Sequence, residues 1–202
     1  EIRKGLAGGM KSGKIVPVLC GAGLTGAGVG PLLDFIAYAC PSPDPSQVKE
    51  GGPASCFVFK TALDQFTGKL SYFKVMSGRI AADADLLNAR EGKKEKIAKL
   101  YTCQGKKLED APELVAGDLG LFTKSPTLRT NDTLHAPDAP VTYPALELPT
   151  PVHALAISAK AKKDEDKMNQ MLQRTTEEDL TFQITYEKET RETVISGMGE
   201  LH

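Results

Sequence analysis

Apolar residues along the chain change period three times, and each period predicts a different kind of element. Residues 14–20, Lys14-Ile15-Val16-Pro17-Val18-Leu19-Cys20, form a short continuous run of β-branched character that predicts a buried strand. A glycine-rich loop follows over residues 21–28. Val29, Leu32, Leu33, Ile36 and Ala37 then fall at i, i+3, i+4, i+7 and i+8, the face of an amphipathic helix with Pro31 in its first turn. The helix is expected to stop at Pro41-Ser42-Pro43. Residues 41–53 hold Pro, Ser, Gly and charges with little to bury, which predicts a linker and a domain boundary.

Between residues 54 and 148 the pattern becomes short strands between turn signals: 56–60, 69–76, 86–87, 96–100, 120–122 and 146–148. Phe66-Thr67-Gly68, Ser77-Gly78 and Glu91-Gly92 supply turns at the spacing of an all-β barrel. After Pro149-Thr150-Pro151 the reading is a strand over 153–158, then a helix from near Lys163 with Asp164, Glu165 and Asp166 in its first turn. Met168, Met171 and Leu172 share one face of that helix, and strands over 181–186 and 192–196 follow. The order β-α-β-β is the start of a split βαβ domain whose second helix would begin where the chain ends. The fold class expected is therefore multidomain α+β.

Composition narrows the function classes. The chain has 202 residues, 41% hydrophobic and 25% charged, ordinary globular values that argue against disorder and coiled coil. No apolar run approaches the roughly 18 residues of a membrane helix, and the first residues lack the apolar stretch of a signal peptide. A soluble, cytoplasmic protein without membrane contact is expected, and the absence of a starting Met reads as a piece of a longer or processed chain. Cys20, Cys40, Cys56 and Cys103 show no CxxC spacing, and His135, His153 and His202 are scattered, so neither zinc nor a catalytic triad is predicted. The thiols read as reduced. Charge is uneven: residues 55–107 carry eleven Lys/Arg against five Asp/Glu, a balance of +6, whereas 164–202 carry four against ten, or −6. A basic middle and an acidic end point to modules with different neighbours.

Two glycine motifs invite a nucleotide reading and fail it. Gly8-Gly9-Met10-Lys11-Ser12-Gly13-Lys14-Ile15 nearly spells a P-loop, but Ile15 has no hydroxyl for magnesium and is expected to open a strand. Gly21, Gly23 and Gly26 match the dinucleotide fingerprint, yet no second strand follows with an acidic residue for the ribose. Pro31 is also expected to start the helix several residues after the loop, out of reach of a pyrophosphate.

Longer stretches carry a resemblance. Residues 16–21, 28–34 and 41–43, then Asp64-Gln65-Phe66-Thr67-Gly68-Lys69-Leu70, Lys74-Val75-Met76-Ser77-Gly78, Gly92-Lys93-Lys94-Glu95-Lys96-Ile97, Ala116-Gly117-Asp118-Leu119-Gly120, Asn131-Asp132-Thr133-Leu134 and Ser196-Gly197-Met198-Gly199-Glu200-Leu201-His202 occur in one order. In that order they resemble bacterial elongation factor G and related translational GTPases. The resemblance implies three pieces: the α/β tail of a GTPase domain over 1–45, a translation-factor β-barrel over 46–148, and the first part of a ferredoxin-like third domain over 149–202.

It also implies that the intact parent is a GTPase acting on the ribosome in tRNA/mRNA translocation or a related step. Such a parent uses GTP and Mg2+, while this stretch holds no cofactor, no metal and no catalytic residue of its own. The guanine-contacting loop falls on Gly21, Ala22, Gly23 and Leu24, where the family usually shows Gly-Ser-Ala. The partners implied are the ribosome, through small-subunit rRNA and ribosomal proteins, and the chain's own GTPase domain. Lysines and arginines of the barrel, chiefly Lys69, Lys74, Arg79, Lys93, Lys94 and Lys96, form a band expected to track RNA phosphates. The alternative reading is a stand-alone β-barrel binding module without nucleotide chemistry.

Overall fold

The computed structural model describes residues 2–40, 51–64 and 66–202. The chain divides into two compact units, Glu1–Val48 and Lys49–His202. The predicted boundary at 45/46 and most of the predicted linker lie outside the described residues.

The first unit opens with helix α1, Ile2–Lys11, which the hydrophobic pattern does not announce because Gly5, Gly8 and Gly9 depress helix propensity. Gly9 has a packing role: a Cβ there would collide with the Ile15 side chain, so its bare backbone lets Ile15 fold back onto the helix. The helix ends by a left-handed residue, Gly13 (φ 69°), with Lys14 N–H donating to Gly9 O at 2.8 Å. Residues 15–20 are not a strand. Val16 and Val18 are 81% and 89% exposed, and among the described residues of this unit there is no strand for the run to pair with. β-branched character alone cannot supply a ladder partner.

Helix α2, Val29–Ala39, forms where periodicity placed it. It starts directly after Gly28, not several residues later, because Pro31 sits in a first turn whose N–H groups have no intrahelical partner to lose. Cys40 is extended (φ −72°, ψ 130°), the conformation favoured before Pro41.

The second unit begins with the barrel: β1 Ser55–Asp64, β2 Gly68–Ser77, β3 Arg79–Ala81, β4 Asp85–Asn88, β5 Lys93–Lys96, β6 Leu100–Gln104, β7 Lys107–Ala111, β8 Glu113–Val115, β9 Leu119–Thr123 and β10 Thr133–His135. Eight strands pair in the order β5-β4-β10-β1-β2-β9-β6-β7, and β3 pairs with β8 as a separate ribbon. Cys56, Val58, Phe73, Val75, Ile80, Leu121 and Leu134 are fully buried, and Phe73 stacks on Phe122 at 3.9 Å between ring centroids. The turn signals at residues 66–68, 77–78 and 91–92 fall at strand boundaries, with Gly68 opening β2 and Ser77 closing it.

Two predicted barrel strands differ. Residues 96–100 span a break, because Ile97 leaves the ladder to bury itself and bonds through its N–H to Ala84 O at 2.9 Å. Residues 146–148 form no strand; Pro144, Pro149 and Pro151 remove the donors a ladder needs. The segment is a strap instead: Tyr143 Oη lies 2.8 Å from Ser55 Oγ, and Leu146 N–H donates to Asn131 Oδ1 at 2.9 Å.

Beyond the strap lie β11 His153–Ile157, a 3-10 turn Lys162–Asp164, helix α3 Glu165–Glu178, β12 Gln183–Glu187 and β13 Glu192–Gly197. The sheet order is β11-β13-β12, fully antiparallel, so β13 splits the β11-α3-β12 unit in the ferredoxin-like manner.

Candidate functional site

In the first unit the glycine-rich loop is held shut at its base. Ala22 N–H donates to Ala27 O at 2.9 Å, and Gly28 adopts φ 79° with a would-be Cβ only 2.5 Å from Cys20 O. Gly28, and of the apparent fingerprint glycines only Gly21, whose would-be Cβ lies 3.1 Å from Ala27 O, thus serve the loop's own closure. With the Ala22 N–H occupied, the Gly23 N–H makes no hydrogen bond among the described residues, and Leu24 is fully exposed. A cavity of about 390 Å3 opens along Cys20 to Gly23 and the start of α2. Of Gly21, Ala22, Gly23 and Leu24, only Ala22 has its N–H hydrogen-bonded among the described residues, so the loop presents free backbone donors, Gly23 among them, which suit an acceptor such as a base carbonyl. The near P-loop at residues 8–15 has the reverse arrangement, since its helix precedes the loop and offers carbonyls, not N–H groups, to an anion.

On the barrel the six predicted basic residues separate into three places. Lys93, Lys94 and Lys96 lie on β5, an edge strand of the sheet; Lys94 and Lys96 share a face opposite Leu87 and Asp85. Lysines on an edge also discourage pairing with foreign strands. Lys93 Nζ is 3.6 Å from Glu91, Lys96 is 3.9 Å from Asp83, and Lys94 has no ion pair among the described residues. Arg79 sits on the β3–β8 ribbon, paired with Glu113 at 2.8 Å. Lys69 and Lys74 occupy β2 on opposite faces. Lys74 is exposed and without an ion pair among the described residues, whereas the Lys69 side chain is only 11% exposed and reaches Glu177 of α3 at 3.4 Å.

Register reveals one basic residue absent from the predicted band. Lys60 pairs with Tyr72, and Tyr72 shares a face with Lys74, so two cations flank one ring on the outer sheet surface. Lys60 Nζ lies 5.9 Å from the Tyr72 centroid and Phe59 sits 6.5 Å away, tilted. Burial holds the Tyr72 phenol above its ordinary pKa. The alternating pattern of β2 carried the signal; the β-bulge at Phe59, which fixes which β1 residue faces Tyr72, did not show in the sequence.

The strongest charge cluster is structural. Asp132, with its side chain 2% exposed, accepts from Arg90 Nε at 2.6 Å, Asn88 Nδ2 at 2.9 Å and the Arg129 N–H at 2.9 Å. The signature at residues 196–202 forms a turn closed by its histidine. His202 Nδ1 accepts from Met198 N–H at 2.9 Å, its Nε2 donates to Asp179 at 3.0 Å, and its ring stacks on Phe182 at 3.9 Å. Among the described residues no three His, Cys, Asp or Glu side chains gather as a metal site, and no helix is long and apolar enough to cross a membrane.

Comparison with known proteins places these modules. Residues 53–136 match the sequence profile of Elongation factor G domain 2, and residues 148–202 match that of Elongation Factor G, domain III. A crystal structure of a protein from Thermus thermophilus superposes with a TM-score of 0.81 at 30% identity, covering 100% of this chain. This chain spans 30% of the length of that one.

Proposed function

The chain belongs to the elongation factor G family of translation factors, and we propose that it is the ribosome-binding portion of a GTPase that drives tRNA/mRNA translocation or a related ribosomal step. One observation carries this reading: the translation-factor barrel and the split βαβ unit follow each other in the family's order across residues 53–136 and 148–202. In the whole protein GTP and Mg2+ would supply the driving hydrolysis. Of the residues described, the Gly23 N–H is the group suited to the guanine oxygen, and the cradle for the phosphates lies in other parts of the protein. The barrel would meet rRNA phosphates through Lys74 and Lys94, the two of the six predicted cations that have no ion pair among the described residues, with Lys60 beside Tyr72 as a further contact. Phosphate contacts position a protein without reading sequence, which suits a factor that meets a fixed RNA surface.

Sedimentation through a sucrose cushion with purified ribosomes tests this. The chain is expected to pellet with ribosomes at low salt and to be released as salt rises. Failure to pellet at the lowest salt would leave the stand-alone binding module as the better reading.

A further inference from the structure

Helix α3 ends with the wrong charges for a helix. Its last turn, Thr175-Thr176-Glu177-Glu178, holds two carboxylates and no cation at the negative end of the macrodipole. The last carbonyls of any helix also lack intrahelical donors. Both deficits are met from the barrel. Thr61 Oγ1, on a side chain that is almost wholly buried, donates to Glu177 O at 2.8 Å. Leu63 N–H donates to Glu178 Oε1 at 2.5 Å, and Lys69 Nζ stands 3.4 Å from Glu177 Oε2. The receiving end of the barrel is correspondingly polar: Thr61 also meets Thr130 Oγ1 at 3.2 Å, and the hydroxyl of Ser71, paired with Thr61 across β1 and β2, is buried with no hydrogen-bond partner among the described residues. A cavity of about 280 Å3 remains between the two parts, lined by Lys69, Arg129 and Thr130 on one side and Gln173 and Thr176 on the other.

We propose that the barrel caps the C-terminus of α3 across the domain junction, as a polar latch that keeps the last turn helical only while the third domain is seated. The covalent connection between the parts is the strap, in which the Leu146 N–H is bonded to the barrel at Asn131 Oδ1. The latch contacts named here are hydrogen bonds and an ion pair, groups that water can replace when the junction opens. Opening the junction therefore frays the last turn of α3 and couples domain position to local helix order.

Hydrogen exchange on the whole chain tests the latch, read at the amides of residues 177–179. Thr61→Val is expected to speed their exchange about three- to tenfold, the loss of one capping hydrogen bond. Glu177→Lys separates the latch from an ordinary helix end, because the two predict opposite signs. A cation at a free C-terminus slows fraying through the dipole, whereas at the latch it meets Lys69 and speeds it. Unchanged protection at Val58 and Val75, whose amides bond to Asp132 O and Asp118 O, certifies that each variant is folded. Slower exchange in Glu177→Lys, or no change in Thr61→Val, overturns the proposal.

Discussion

At the scale of single residues the barrel depends on one carboxylate. Burial alone would raise the Asp132 pKa, but the hydrogen bonds from Arg90, the Arg129 N–H and Asn88 outweigh it and hold the carboxyl below its ordinary value. A group whose folded pKa is depressed contributes stability at pH values above its unfolded pKa of about 3.9, and that contribution is lost as pH falls through the folded value. We expect Asp132→Asn to be less stable at pH 7 by about 2–3 kcal/mol, since Arg90 loses its buried partner and keeps only the contacts to Glu91 and Thr127 O. The gap between variant and wild type should narrow below about pH 4. Urea unfolding at pH 7 and pH 3 checks both; an equal gap at the two pH values would mean that another group carries the acid sensitivity. The sequence placed Asp132 within a family-like stretch, Asn131-Asp132-Thr133-Leu134, but not its partners. Arg90 is 42 positions away, and only the pairing of β10 with β4 brings Asn88 and its neighbour Arg90 to it.

At the scale of elements, legibility follows locality. Helix α2, helix α3 and the strands around it lie where period and turn residues put them, because each is specified by neighbours within a few positions. The short strands β3, β8 and β10 escape a reading by pattern, since three residues carry too little periodicity and their partners are remote in sequence; β7 escapes it although β6 is its hairpin neighbour, because Lys107-Leu108-Glu109-Asp110-Ala111 is mostly charged. The run at 14–20 misleads for the converse reason: it has a strand's composition and no ladder to join. One barrel glycine shows what pairing demands. Gly120 faces Phe73 across β2 and β9, and a Cβ there would collide with the Leu114 side chain and lie 2.8 Å from Phe73 Cζ. Gly105, in the β6–β7 turn, has φ 62° and open space around it. Gly120→Ala should therefore cost roughly 1–3 kcal/mol through overpacking, and Gly105→Ala about 1 kcal/mol through backbone strain alone. Urea midpoints that rank the two in the opposite order would show that Leu114 and Phe73 yield to the methyl.

At the scale of the whole molecule, the charge asymmetry visible in the sequence divides into cations with different tasks. Of the six predicted RNA contacts, Lys69 is directed at α3, and Arg79, Lys93 and Lys96 each face a carboxylate, so their net attraction for a phosphate is reduced. Lys74 and Lys94 face none among the described residues. Each lysine that neutralises a phosphate displaces condensed counterions and steepens the dependence of log affinity on log salt by somewhat less than one. Lys74→Gln with Lys94→Gln should weaken ribosome binding and flatten the salt dependence by about one to two. Lys69→Met should leave that slope unchanged, because its charge is directed at Glu177 and not at a partner. Glutamine keeps hydrogen-bonding capacity at both positions, so a change in slope reports charge and not a lost fold. Measuring the slope for the three proteins across a salt series decides the assignment. If Lys69→Met flattens it as much as the double change does, the junction side of the barrel is the RNA face, and the third domain must move aside to expose it.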